Sequence, residues 1–370
     1  MIGEEEVYMH SLLKLSVVAA AAGVLMMSAS GPAAAGDLDG QEIKVCTWGG
    51  SWRDIQRDNV VTNPGGLEER GATVTFVTGS PQDNMAKLIA ARGQPVCDVI
   101  EILDATWDQM VELDFVVDEL DFSLLPNAKH LADWQIGKNF TGSWFTQEGI
   151  CYNAEKFAEH GIPTPTTYKD LIHPKLEGLI QIPDITSGGG LANFGGIVKA
   201  AGGDENNVKP GLDLINAMNV KKFWKRGSEG VTLLENGDIW ALISHVGWCM
   251  RGHKAGQTYL KFVHPIIDDE HVGVNKFGFL SIVKNSPMEV RAAAHAYING
   301  YLDEETQFQM SSRAGTIPVN VNAQARLAQD PVLAEMAVLD AEGIAKEYRV
   351  RYKGIDITTW NDQWNRAVTQ

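Results

Sequence analysis

The sequence predicts an α/β protein of two lobes that enclose a cleft. Strand-like and helix-like segments alternate from about residue 40, and a second alternating set begins near residue 178. Two long extended segments, 142–153 and 276–286, connect the sets. Such β-α-β alternation is typical of a mainly parallel sheet with helices on both faces. Because ligands of these sheets lie at the carboxyl ends of the strands, we expect a binding site between the lobes.

The first set of predicted elements lies between residues 42 and 110. In chain order they are a strand at 42–48, helical or turn segments at 51–59 and 64–70, a strand at 73–79, an amphipathic helix at 81–93, a strand at 97–104 and a helix after Thr106. The first and third strands end at Trp48 and Asp104, which therefore face the predicted cleft.

The second set follows the crossing segment 142–153. It comprises a strand at 178–185, helices at 188–203 and 210–218, a helix and turn at 228–237, a strand at 238–247 and a helix at 248–256. After the return crossing, 287–302 has the i, i+3, i+4 apolar spacing of a helix. The tail from Pro331 is also predicted to be helical.

The N-terminus has the pattern of a secretory signal peptide. Residues 12–29 are nearly all apolar or small, and Ala33-Ala34-Ala35 has the small-x-small form of a cleavage site. A membrane anchor is the alternative, but the apolar run is short and is followed by a cleavage site. We expect translation to start at Met9, cleavage near Ala35 and a mature chain in the periplasm.

The composition limits the classes of partner. Removal of residues 1–35, which carry three Glu and one Lys, changes the formal net charge from −16 to −14. This acidity argues against nucleic acid or an anionic membrane as the main partner. No other apolar run approaches the ~20 residues that span a bilayer. The sequence thus indicates an exported, water-soluble protein.

The four cysteines lie in apolar contexts and form no CxxC or zinc-like pattern. We expect them to be buried small hydrophobic residues. Export leaves disulfides open as an alternative, but the sequence does not supply the pairing of Cys46, Cys97, Cys151 and Cys249.

Five ordered segments carry a resemblance to a known family. They are "TWGGSW" (47–52), "DVIEILDATWDQMVELDFV" (98–116), "WFTQEGICYNAEKFAEHGIPTPTTYKDLIHPKLEG" (144–178), "LLENGDIWALISHVGWCMRGHKAG" (233–256) and "SRAGTIPVN" (312–320). The chain resembles the type II periplasmic solute-binding proteins of ABC importers over roughly residues 40–350. The spermidine/putrescine-binding branch is the most similar.

The resemblance implies a two-lobed type II fold with two crossing strands as the hinge. It places lobe 1 at 36–146 and 276–322, and lobe 2 at 147–275 and 323–370, after a signal peptide at 1–35. Such a protein captures a small-molecule solute by closing its lobes and delivers it to a membrane permease. It implies no catalysis and no cofactor, and we expect a monomer.

Several candidate ligand residues lie around the first turn. Trp48 and Trp52 offer aromatic faces that pack methylenes or attract a cationic nitrogen. Gly49, Gly50 and Ser51 offer free backbone N–H groups at a helix start, which suits an anion. The alternatives are that Trp48 belongs to the core and that the glycines only permit a tight turn.

The remaining candidates lie at other strand ends and on the return crossing. Asp104 either contacts the solute or caps the next helix, and Trp107 is either site wall or core. Ser187 and Gly188 begin a second Gly-rich turn. The other candidates are His245, Trp248, Arg251, Phe277 and Thr316.

Two departures from the polyamine-binding pattern concern the solute. Polyamine binders carry acids after the second lobe's first strand and on the return crossing. Here the first position keeps only Asp184 and the second is Gly278. Since a polycation needs carboxylates to replace its hydration, an amino-acid-like zwitterion such as a γ-amino acid competes with a polyamine. Trp48 and Asp104 would hold its nitrogen and a glycine turn its carboxylate.

Two other classes remain as alternatives. An enzyme on the same fold would need a nucleophile, and the pair Cys249 and His245 is the nearest candidate. Helical i, i+4 spacing would bring the two together, but His245 is predicted to end a strand. A receptor that presents the solute to a membrane sensor would use the same site residues.

Overall fold

Two long antiparallel strands form the centre of the fold. The computed structural model describes residues 36–368. β4 (Thr141–Asn153) and β9 (Val274–Ile282) pair from Thr141 opposite Leu280 to Glu148 opposite Val274. β4 is buried along its whole length. These strands are the two extended crossings that the sequence predicts.

Parallel strands flank this central pair on both sides. The other strands are β1 Glu42–Thr47, β2 Thr73–Thr78, β3 Val99–Leu103, β5 Ile180–Pro183, β6 Lys222–Trp224, β7 Ala241–His245, β8 Leu260–Val263 and β10 Tyr348–Arg349. The sheet order is β2-β1-β3-β9-β4-β7-β5-β6, with β10 beside β9 and β8 beside β4. The pairs among β1, β2 and β3 and among β5, β6 and β7 are parallel. Each end of the sheet is therefore an α/β unit, as predicted.

Helices cover the sheet and connect its strands. They are α1 Ser51–Gln56, α2 Pro81–Ala90, α3 Asp104–Glu112, α4 Ala154–Glu159, α5 Gly190–Ala200, α6 Lys209–Ala217, α7 Gly227–Glu235, α8 Val246–Lys254, α9 Arg291–Tyr301, α10 Glu304–Ala314, α11 Val321–Leu327, α12 Pro331–Met336, α13 Ala341–Ala345 and α14 Ile357–Val368. In the part of the chain that the structure describes, none of them is long and apolar enough to cross a membrane. The predicted signal peptide and the start at Met9 lie outside the described residues.

Some element boundaries differ from the prediction for local reasons. α3 begins at Asp104 rather than after Thr106, because Leu103 is already its extended N-cap. The tail is not wholly helical, since β10 interrupts it. This two-residue strand exists only through its parallel pairing with β9, which a propensity argument cannot detect.

The cysteines form two buried disulfides, Cys46–Cys97 and Cys151–Cys249. The cysteines are buried, as expected, and they are paired, which is the alternative that export left open. Their Cα atoms lie 5.7 and 5.6 Å apart, within the range for a bridge. The first joins β1 to the segment before β3, and the second joins β4 to α8. The first disulfide thus holds the strands that lead to Trp48 and Asp104, and the second holds the helix that carries Trp248 and Arg251.

Reduction of these bridges should destabilise the protein. They close loops of 51 and 98 residues, for which chain entropy gives about 4 and about 5 kcal/mol respectively. We expect the pair Cys46→Ala and Cys97→Ala, or Cys151→Ala and Cys249→Ala, to lower the Tm by several degrees. Thermal unfolding with and without reductant measures this, with alkylation of the unfolded chain as the thiol count. A Tm that reductant leaves unchanged would contradict the pairing.

Candidate functional site

A cavity of about 490 Å³ lies between the two ends of the sheet. Chain segments from both ends form its walls, so it occupies the position of the predicted cleft. Its lining residues are Trp48, Gly49, Ser51, Trp52, Trp144, Thr146, Gly188, Gly189, Trp224, Lys225, Arg226, Gly227, Ser228, His245, Trp248, Arg251, Lys276, Ala314 and Thr316.

Most of the candidate residues lie together in this cavity. They are Trp48, Gly49, Ser51, Trp52, Gly188, His245, Trp248, Arg251 and Thr316. Gly50 is instead the N-cap of α1, with φ 63°, and Ser187 is buried just before α5. Trp107 packs against Phe140 and Phe279, with ring centroids 4.9 and 5.6 Å away.

Asp104 and Phe277 have structural positions beside the cavity rather than in its lining. The carboxylate of Asp104 accepts hydrogen bonds from the backbone N–H of Ala105 and of Phe277, at 2.7 and 3.1 Å. Asp104 thereby links β3 to β9. The Phe277 ring packs against Trp134 and Phe145.

Several lining residues were not predicted from the sequence: three on the crossing strands, the segment from the end of β6 into the first turn of α7, and two residues at helix ends. They are Trp144, Thr146 and Lys276, then Trp224 to Ser228, and then Gly189 and Ala314. Because side chains alternate between the two faces of a strand, the predicted strand 142–153 could have indicated that Trp144 and Thr146 lie on the same face. It could not have indicated which face meets the cavity, because the strand is buried on both sides.

Three tryptophans form one wall of the cavity. Trp48, Trp52 and Trp144 are in mutual contact, with ring centroids 5.0, 5.6 and 5.3 Å apart. The indole N–H groups of Trp52 and Trp144 both donate to Glu101, a fully buried carboxylate behind them. In all, its donors are Thr47 Oγ1, Trp52 Nε1, Gln56 Nε2, Trp144 Nε1 and Tyr301 Oη, at 2.5–3.4 Å.

Glu101 therefore fixes the orientation of two of the three rings. Burial raises the pKa of Glu101, while the hydrogen bonds from Thr47, Trp144, Trp52 and Tyr301 oppose the rise. No cation pairs with this carboxylate among the residues that the structure describes. Within the described chain, the burial of the Glu101 carboxylate is therefore compensated only by its hydrogen-bond donors.

The backbone around Trp144 explains why residue 278 is glycine. The register of β4 against β9 shifts between Gly142 and Trp144, an irregularity of the bulge type that re-aims a side chain. A Cβ atom on Gly278 would lie 2.4 Å from Trp144 Cε2. The ring of Trp144 thus occupies the space that an acidic side chain at residue 278 would need.

Cations line the rest of the cavity wall, and they differ in how their charge is compensated. Two of them, Lys225 and Arg226, are exposed. Lys276 Nζ lies 3.3 Å from the buried carboxylate of Glu148, so this charge is paired. Arg251 has no carboxylate partner in the described part of the chain. One of its Nη atoms donates to the carbonyl of Ala314, and its guanidinium carbon lies 4.4 Å from the ring of Trp248. Its Nε is buried without a hydrogen-bond partner.

His245 contributes a neutral donor to the same wall. It is the N-cap of α8, where its Nδ1 accepts from the backbone N–H of Gly247 at 3.1 Å. Burial, with Lys276 and Arg251 nearby, holds the pKa of His245 well below its usual value. The neutral ring then carries its proton on Nε2, which can donate to an acceptor.

Four helices begin at this cavity. Ser51 begins α1, Gly188 and Gly189 precede α5, Arg226 precedes α7, and His245 precedes α8. Free N–H groups and the positive end of the helix dipole favour a negative group at each start. Together with Arg251 and Lys276, they give the cavity the electrostatics of an anion site.

Cys249 and His245, the nearest candidate for a catalytic pair in an enzyme on this fold, cannot act as one in this structure. Cys249 is bonded to Cys151, so it offers no free thiolate. His245 ends β7, as predicted. Its unprotonated nitrogen, Nδ1, would have to act as the base, but it already accepts the hydrogen bond from Gly247 that caps α8.

Comparison with known proteins identifies the family and the fold. A family model described as bacterial extracellular solute-binding protein matches residues 67–336. No curated protein matches the sequence. Solved structures similar to the chain include PotD, a spermidine/putrescine ABC transporter substrate-binding protein from Streptococcus pneumoniae (18% identity, 89% of this chain and 98% of that chain, TM-score 0.70).

Two further similar structures have other ligands in their names. AfuA from Actinobacillus pleuropneumoniae, with fructose-6-phosphate bound, is 19% identical over 89% of this chain and 98% of that chain, with a TM-score of 0.65. The Atu4243–GABA receptor is 15% identical over 87% and 96%, with a TM-score of 0.69. At these identities the likeness concerns the fold, and the predicted two-lobed type II fold is confirmed.

Removal of the Glu101 carboxylate should loosen the tryptophan wall. Glu101→Leu leaves two indole N–H groups and the Tyr301 hydroxyl without their acceptor, so we expect a loss of about 3–5 kcal/mol in the free energy of unfolding. Glu101→Gln keeps one acceptor oxygen and should lose less. Denaturant titration followed by tryptophan emission measures both. A Glu101→Leu protein as stable as the wild type would show that the network is dispensable.

Asp104 should make stability depend on pH. Burial raises the pKa of Asp104 to about 7, against the hydrogen bonds from Phe277 and Ala105 and the attraction of Lys276. In the unfolded chain the pKa of an Asp side chain is about 4. The folded state therefore favours the protonated Asp104, and this contribution to stability is complete below about pH 4 and is lost as the pH rises towards about 7.

The matched control for this effect is Asp104→Asn, which does not titrate. We expect the free energy of unfolding of the wild type, relative to Asp104→Asn, to fall by up to about 4 kcal/mol between about pH 4 and about pH 7. Denaturant titrations at several pH values measure the difference. Parallel curves for the two proteins would exclude a raised pKa.

Proposed function

Because this chain belongs to the family of bacterial extracellular solute-binding proteins, we propose that it is the substrate-binding component of an ABC importer. It captures a small organic solute with an anionic end, of which an amino-acid-like zwitterion is the best example. The solute binds between the lobes in the periplasm, and lobe closure delivers it to a membrane permease.

The observation that carries the proposal is the uncompensated guanidinium of Arg251. A buried cation without a counter-charge is costly, and a bound carboxylate would supply that charge and an acceptor for Nε. None of the described residues that line the cavity is Asp or Glu. His245 Nε2 and the starts of α5, α7 and α8 would donate to the same anionic group.

A polyamine is less well supported by this arrangement. Its ammonium groups would meet Lys276 and Arg251 with no lining carboxylate to replace their hydration. Asp104, expected to hold the solute nitrogen, already accepts two backbone hydrogen bonds. The ammonium end of a zwitterion would instead contact the faces of Trp48 and Trp52. The similar structures carry different ligands in their names, so the fold does not select the solute.

The lobe boundaries belong to the same proposal. Lobe 1 would comprise 36–146 and 276–322, and lobe 2 would comprise 147–275 and 323–370, with β4 and β9 bending between them. A receptor that presents the solute to a sensor would use the same cavity. The two roles differ in the membrane partner rather than in the site.

Matched pairs of solutes test the class of ligand. γ-Aminobutyrate and putrescine differ at one end only, as do δ-aminovalerate and cadaverine. We expect calorimetry on the mature chain to detect the amino acid of each pair and not the diamine. A diamine that binds more tightly than its matched amino acid would overturn the anionic assignment.

The same titrations on variants test the role of Arg251. Arg251→Met keeps much of the apolar stem and should weaken binding by about tenfold to a hundredfold, since hydrogen bonds to charged groups are worth roughly 1.5–3 kcal/mol. Arg366→Met is the control, because it removes the same charge from the exposed surface of α14. Equal affinity in the two variants would show that Arg251 does not contact the solute.

A further inference from the structure

A second and larger cavity, of about 840 Å³, lies on the other face of β9. Successive side chains of a strand point to opposite faces. Lys276 lines the cleft, whereas Phe277 contacts Trp134 and Arg349, which line the second cavity. We call this cavity the rear groove. Segments of both proposed lobes form its walls, including Gln324 of α11.

Arg349 presents unused hydrogen-bond donors to the rear groove. Its guanidinium carbon lies 3.8 Å from the Trp134 ring centroid and 4.9 Å from that of Phe277. These contacts fix the plane of the guanidinium, yet between residues 36 and 368 its nitrogens donate no side-chain hydrogen bond. Arg351 adds a second positive charge to the lining. A stacked guanidinium with a free edge is suited to a carboxylate or a phosphate.

A buried carboxylate lies behind the groove. Glu347 is 2% exposed, and its side chain is fully buried. Its Oε2 accepts from Gln147 Nε2 at 3.2 Å, while its Oε1 lies 3.6 Å from His264 Nδ1, beyond hydrogen-bonding distance. Because this side chain is closed to solvent, a ligand in the groove does not reach it.

Some of the other charged groups of the groove are engaged. Glu205 accepts from the Tyr348 hydroxyl at 3.1 Å, and Lys199 pairs with Asp268 at 3.4 Å. Among the described residues, Arg349, Arg351 and Glu270 have no ion pair and no side-chain hydrogen bond. The two guanidinium groups are thus the unengaged donors of the groove.

We propose that the rear groove is a second ligand site, for a small organic anion. Its carboxylate or phosphate binds the edge of Arg349, with Arg351 close by. β9 separates the rear groove from the cleft, and both proposed lobes line the rear groove. Bending of the hinge therefore alters both cavities. Occupation of one site therefore changes the affinity of the other, reciprocally.

Malate and glycerol phosphate are suitable probes, because one offers carboxylates and the other a phosphate. Calorimetry on the mature chain should detect at least one of them with millimolar affinity or better, and the tighter probe identifies the anionic group. We expect binding to persist in Arg251→Met, which alters the cleft, and to weaken about tenfold or more in Arg349→Met.

Ala345→Trp provides a second test that does not depend on the buried charges. Ala345 is exposed and lines the rear groove, so an indole there should fill the groove without disturbing the core. We expect it to abolish probe binding with the Tm unchanged. The proposal is overturned if neither probe binds the folded wild type at millimolar concentration. It is also overturned if binding is lost in Arg251→Met but kept in Arg349→Met and Ala345→Trp. Neither result bears on solute binding in the cleft, which the matched amino acids and diamines test separately.

Discussion

The buried carboxylate of Glu101 is the constraint on which the cleft depends. It lies on β3 and accepts hydrogen bonds from β1, α1, β4 and the last residue of α9. Donors from three distant parts of the sequence, near residues 47–56, 144 and 301, therefore meet at one group. No cation offsets its charge in the described residues, so the donors must all be present for burial to be tolerated. A network of this kind specifies one arrangement of Trp52 and Trp144, because any other leaves a buried polar group unpaired. The aromatic wall is rigid for that reason.

The cations of the cavity wall are compensated in different ways. Lys276 is paired with Glu148 and lies 5.6 Å from the Trp144 ring centroid, and His245 is held neutral. Arg251 is half-buried and keeps a buried Nε without an acceptor, whereas Lys225 and Arg226 are exposed. Helix starts add partial positive charge around the same space. Arg251 is thus the half-buried cation of the described lining that lacks a counter-charge, and this is the place that we propose for a single anionic group. None of the described lining residues is Asp or Glu.

The sequence was sufficient for the architecture and for about half of the site. Alternation of strands and helices predicted both ends of the sheet, and the rule of strand ends identified Trp48 and His245. The disulfides could not be predicted, because partners depend on which strands become neighbours. Trp144 and Lys276 were missed because a strand buried on both faces gives no sign of which face meets a cavity. Asp104 was assigned correctly to a strand end, but its side chain continues the β3–β9 ladder instead of entering the cleft.

The contact between the proposed lobes explains two further glycines. Gly247 in the first turn of α8 lies against Gly315, and a Cβ atom on Gly247 would be 2.3 Å from the Gly315 carbonyl oxygen. Gly315 itself has φ 75°, a conformation that glycine adopts without strain. This backbone contact lets Arg251, one turn further along α8, reach the carbonyl of Ala314. Arg251, the residue that we propose binds an anion, would thus also bridge the two proposed lobes. On this proposal, a solute that neutralises Arg251 would bind beside the contact between the lobes, so binding and closure would stabilise each other.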